Sequence, residues 1–136
     1  MKEIIYADEC YEFSVDVLKN RQYLTLRGDW NDVSVARDYL KHNRESLERL
    51  QPGFTSCVDL RKTKLPSDDV LQQVLGVFVQ ATKESEEAGM RKQAQIVKQD
   101  TKDEKVTARE VIKDSDCDQK MIQFFDPVEA EKWLDQ

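Results

Sequence analysis

The stretch from Phe54 to Ala88 constrains this chain more than any other. It opens on Thr55-Ser-Cys-Val-Asp-Leu60, a short run without clean alternation, as expected of a strand covered on both faces. Arg61-Lys-Thr-Lys-Leu-Pro66 follows and reads as a polar connector, because its proline cannot continue a central strand. A helix comes next, with apolar residues at 70, 71, 74, 75, 78 and 81, the spacing of one packed face. Ser67 is placed to cap it, and Asp68 and Asp69 put negative charge at the positive end of the helix dipole. A covered strand feeding a long amphipathic helix predicts a layered α/β arrangement.

The remaining segments extend that pattern. Tyr11, Phe13, Val15 and Val17 alternate with Glu12, Ser14 and Asp16, which predicts a half-buried strand. Ile4 and Ile5 belong to a short earlier strand or a loose arm. Lys19-Asn-Arg-Gln22 reads as a polar turn, and Tyr23 to Gly28 as the second arm of an antiparallel hairpin. A helix is expected from about Asp32 to Leu50, capped by Asn31 or Asp32, with Val33, Ala36, Leu40, Leu47 and Leu50 near one face. Pro52-Gly53 ends it. A strand around Ala94, Ile96 and Val97, a short helix over Val106–Ser115 and a strand over Met121–Phe125 follow. Asp126-Pro-Val-Glu129 combines a capping box with a proline at the first helical position, so a final helix starts there. The expected fold is a single α/β domain, with a mixed sheet of about five strands and about four helices.

Composition narrows the partners. The 136 residues carry a net charge of −6, which argues against nucleic acid or an anionic membrane as the main partner. No apolar run approaches the ~20 residues of a membrane span, and the first residues are too polar for a secretory signal. Cys10, Cys57 and Cys117 are odd in number and widely spaced, so neither a disulfide framework nor a zinc site is suggested, and a reducing cytoplasm is the simplest setting.

Three features resemble the STAS domain family of bacterial anti-sigma-factor antagonists, and its SpoIIAA-like branch most closely. They are the hairpin ending in Leu26-Arg-Gly28, the central strand closing on Val58-Asp59-Leu60, and the ending Phe124-Phe-Asp-Pro-Val-Glu-Ala-Glu-Lys-Trp-Leu134. The resemblance spans roughly Tyr11 to Gln136. It implies a regulatory, protein-binding role, with the loop and helix after the central strand as the docking site. Where the family is regulated, a serine or threonine there is phosphorylated. In this chain that position falls near Asp68, beside the hydroxyl of Ser67, and Ser-Asp-Asp replaces the family's small Asp-Ser-Ser-Gly type of loop. Members of this branch are also associated with apolar ligands or membranes.

The individual residues leave two functional readings open. In the first, Arg61, Lys62, Lys64, Ser67, Asp68, Leu71 and Leu75 form a surface for a protein partner, a second copy of the chain included. In the second, a groove lined by Leu65, Val77, Phe78 and Val79 carries a lipid or another apolar ligand. Exposure of Val77 and Val79 discriminates the two. Ser67 is a phosphoacceptor candidate, although a helix cap is the favoured role. No nucleophile–base pair, metal set or phosphate-binding loop is visible, so neither catalysis nor a cofactor is expected. The acidic turn 114–118 lacks the glycine and terminal glutamate of a calcium loop. His42, on the polar side of the first helix, is expected at the surface, Cys57 in the core, and Trp30 beneath the first helix rather than exposed as an anchor.

Overall fold

The computed structural model describes residues 2–30, 33–64, 68–98 and 121–136, and for 29, 33, 64, 68 and 69 the backbone alone. In chain order the elements are β1 (Lys2–Ala7), β2 (Tyr11–Asp16), β3 (Arg21–Asp29), α1 (Val33–Leu47), β4 (Thr55–Lys64), α2 (Asp68–Glu87), β5 (Lys92–Ile96), β6 (Met121–Phe124) and α3 (Pro127–Leu134). The described strands form one six-stranded sheet in the order β1-β2-β3-β4-β5-β6. β1, β2 and β3 pair antiparallel, and β3 to β6 pair parallel. The expected mixed α/β class is therefore found, with six strands rather than five. The expected helix over Val106–Ser115, the turn 114–118 with Cys117, and the caps at Asn31, Asp32 and Ser67 lie outside the described residues.

Two layers of helix flank the sheet. α1 and α2 pack over a core of Tyr11, Phe13, Leu24, Leu26, Trp30, Tyr39, Val58 and Val74. On the other face α3 lays Ala130 and Leu134 on Cys57, Ala94 and Ile96. Burial pushes the Cys57 thiol up to about 11, which makes it a packing residue rather than a nucleophile. Trp30 is fully buried, as predicted, with its ring against Tyr11, Tyr39 and Phe78.

The hairpin differs from expectation at its turn. Arg21 and Gln22 read as turn residues, yet both are buried in β3, at 3% and 2% exposure. Each polar end meets a partner that lies far off in sequence. Arg21 Nε donates to Thr55 Oγ1 (2.8 Å), one terminal nitrogen reaches Glu131, and the other donates to Asp135 (2.8 Å). Gln22 Nε2 donates to Asn43 Oδ1 (3.0 Å) and Ser46 Oγ (2.6 Å), while its Oε1 accepts from Ser56 Oγ (3.0 Å). The chain reverses two residues earlier, at Val17 to Asn20, where Asn20 takes a positive φ of 54°. Asn20 then clamps the backbone of Gln51 through both ends of its amide. Val17 is consequently exposed, and Ser14 and Asp16, expected in solvent, are buried.

Of the two alternatives for Ile4 and Ile5 the structure has the strand: β1 pairs with β2, with a bulge between Ile4 and Tyr6. Two further corrections follow from the reach of the strands. β1 brings Tyr6 over α1, where the ring stacks on His42 at 3.8 Å and 10°. His42 is only 14% exposed and lies 3.2 Å from Glu45, so it is a packed residue rather than a surface one. β4 runs through the expected connector to Lys64, because β3 extends to Asp29 and pairs Arg27, Gly28 and Asp29 with Lys62, Thr63 and Lys64.

α3 starts as the sequence predicts. Asp126 is its N-cap, its carboxylate accepting from Val128 N at 2.9 Å, and Pro127 is the first helical residue.

Candidate partner-binding surface

β4 carries Asp59, Arg61 and Lys62 in the part beyond Val58. Arg61 grips Asp59 in a two-point fork, Nε to Oδ1 at 3.0 Å and Nη2 to Oδ2 at 2.7 Å. The Arg61 backbone N–H also donates to Oδ1, at 3.1 Å. Burial alone would raise the Asp59 carboxyl, but the Arg61 fork and N–H outweigh it and hold the carboxyl below its usual range. The fork changes the role of Arg61, whose charge is balanced within the strand rather than offered whole to an external anion. Lys62 is exposed. Lys64 ends β4 and Asp68 starts α2, each described by backbone alone, and Ser67 and Leu65 lie outside the described residues.

α2 divides cleanly into faces. Val74 and Ala81 are buried, and Val70, Val77 and Phe78 pack against the same core. Leu75 is 9% exposed, so it supports the helix from beneath rather than presenting itself to a partner. Leu71 is half-buried at the margin. Gln72, Gln73, Gly76 and Gln80 lie on the exposed side. Of the residues expected to meet a partner, Leu71 thus borders this face and Lys62 is exposed on β4, whereas Leu75 belongs to the interior. The groove expected beside Val77 and Phe78 is filled, since Phe78 sits between the rings of Trp30 (5.2 Å) and Tyr39 (5.2 Å). Val79 is half-buried.

Gly76 was not among the residues the sequence singled out. A side-chain carbon built on it meets no atom within 4 Å, and its backbone does not need a positive φ. Nothing in the fold asks for a glycine there, although glycine costs a helix interior ~0.5–1 kcal/mol relative to alanine. The signal was present in the sequence as a lone glycine in mid-helix, but only the packing reveals that it faces open space.

Among the described residues no group of three or more His, Cys, Asp or Glu side chains could hold a metal ion. No described helix is long and apolar enough to cross a membrane. Comparison of the sequence with protein-family models finds no match, and comparison with curated proteins finds none either.

Proposed function

We propose that the chain is a non-enzymatic regulatory module that binds a protein partner, resembling the SpoIIAA-like branch of the STAS family. It docks through the outer face of α2. The observation that carries this reading is Gly76: an exposed glycine in the middle of a 20-residue helix, with open space above it, lets another backbone approach closely. The flanking Gln72 and Gln73 can donate and accept hydrogen bonds at such a contact, and Leu71 adds an apolar margin. The family resemblance is supported by the sequence features at Gly28, Leu60 and Phe124–Leu134, and more coarsely by the mixed α/β sheet. The apolar-carrier reading is weakened by the inward packing of Val77 and Phe78.

The test is capture from a lysate of the source cells with wild-type protein and a Gly76→Arg variant, whose larger side chain projects from the exposed face and leaves the core intact. Loss of one specific captured protein in a variant with unchanged melting supports the docking face. Equal capture by both proteins, or recovery of lipid alone, overturns it. Size-exclusion chromatography of the two proteins reads self-association through the same face.

A further inference from the structure

A concavity lies away from the α2 surface, between the sheet and the start of α3. Its volume is about 180 Å3, and Tyr23, Cys57, Ile96 and Pro127 contribute to its walls. A cavity of about 150 Å3 holds a six-carbon ring, so the cleft admits a ligand of roughly that size. α3 lies over β5 and β4 and reaches β3 through Arg21 and Tyr23, and the cleft opens to solvent beside it, toward Lys2 of β1 and Glu12 of β2.

The chemistry of the cleft points to a cation. The Lys2 ammonium sits over the Tyr23 ring, 3.8 Å from its centroid, inside the range at which an aromatic face attracts a positive charge. Three carboxylates also line the space, Glu12, Asp59 and Glu131. Asp59 is engaged by Arg61, and Glu131 by Arg21 and by the Tyr23 hydroxyl, which leaves Glu12 to complement a charge over the ring. Lys2 itself is exposed and sits at the end of the edge strand β1, opposite Asp16. Its side chain can swing into solvent without disturbing the core. The Tyr23 ring, by contrast, is packed against the cluster under α3 and is fixed in place.

We propose that this cleft binds the ammonium group of a small primary alkylamine over the Tyr23 ring, with Glu12 as the compensating charge, and that Lys2 is the intramolecular occupant such a ligand displaces. The apolar walls take the alkyl chain, and the ring and carboxylate take the charge. This site is independent of the α2 docking face.

The experiment is a titration of the isotope-labelled full chain with n-butylammonium chloride, read by the NMR shifts of the Tyr23 ring and of cleft residues. In Lys2→Met, which keeps an apolar side chain but removes the competing charge, the amine should bind about tenfold more tightly than in the wild type. Adding Glu12→Gln to Lys2→Met should weaken binding, and adding Tyr23→Leu should abolish it, with Lys2→Met/Tyr23→Phe retaining it to show that the ring, not the hydroxyl, is needed. Uncharged n-butanol should shift the same residues far less. Absence of saturable shifts at the cleft in Lys2→Met, equal affinity in wild type and Lys2→Met, or equal response to n-butanol would each overturn the proposal. Should Tyr23→Leu perturb the fold, the Glu12→Gln and n-butanol comparisons still decide it.

Discussion

Two glycines in this chain face opposite demands. Gly89 has a φ of +102°, and a side-chain carbon there would stand 2.7 Å from Pro52 Cα. Both the backbone region and the space exclude alanine. Gly76 has neither constraint. Gly89→Ala should therefore destabilise by about 1–3 kcal/mol, whereas Gly76→Ala should stabilise by about 0.5–1 kcal/mol. Thermal melts of the two variants against wild type measure both; a Gly76→Ala protein that melts lower would show that its glycine has a folding role after all. Gln22 is the other residue whose environment decides its role. Its amide joins Asn43 and Ser46 of α1 to Ser56 of β4, and Asn43 continues to the backbone of Ala81 at 3.4 Å and to Ser85 Oγ at 3.4 Å in α2. Gln22→Leu takes the partner from Asn43 Oδ1 and from the Ser56 hydroxyl, and should cost about 1–3 kcal/mol. Chemical denaturation of Gln22→Leu, Asn43→Leu and the double variant should show strong non-additivity, since the two side chains serve one network.

At the scale of elements, α3 is held by apolar contact and by one buried guanidinium. Arg21, in β3, reaches Thr55 in β4 and both Glu131 and Asp135 on α3. Arg91 and Lys92 add bonds to carbonyls at the helix's last turn, Arg91 Nη2 to Leu134 O at 3.3 Å and Lys92 Nζ to Trp133 O at 3.0 Å. Cations at a helix C-terminus also complement its dipole. Arg21→Gln shortens the reach and should release α3 before the rest of the fold. The expected result is faster amide exchange in 128–134 with unchanged protection in β2 and in α2, whose core does not depend on Arg21. Uniform loss of protection across the molecule would mean that α3 and the sheet unfold as one unit.

For the whole molecule, acid is the revealing perturbation. The Asp135 carboxyl is lowered by its bond with Arg21, and the Glu84 carboxyl by its fork with Arg44. The Asp59 carboxyl is lowered despite its burial, by Arg61. A carboxyl whose folded value lies below its unfolded value stabilises the fold at pH above the unfolded value. That contribution is lost as pH falls through the folded value. The melting temperature should therefore be level from neutral pH to about pH 5 and fall steeply below about pH 4. Asp59→Asn should flatten part of that fall; an unchanged profile in this variant would remove Asp59 from the account.

Much of the architecture was legible in local signals. The Asp126-Pro127 start of α3 was readable because a cap and a first-turn proline act within four residues. The inward face of α2 and the alternation through Tyr11, Phe13 and Val15 were readable because burial imposes a period on the chain itself. The sequence alone thus determined the class of fold, the order of most elements and the position of Trp30 in the core. It did not reveal that Arg21 and Gln22 are interior, that β4 continues to Lys64, or that Leu75 lies beneath the proposed docking face while Gly76 lies on it. Those outcomes depend on partners 21 to 114 residues away, such as Asn43 and Asp135, and on how far a neighbouring strand extends. A polar side chain looks the same in a sequence whether water or a distant amide satisfies it, and only the tertiary structure supplies the amide.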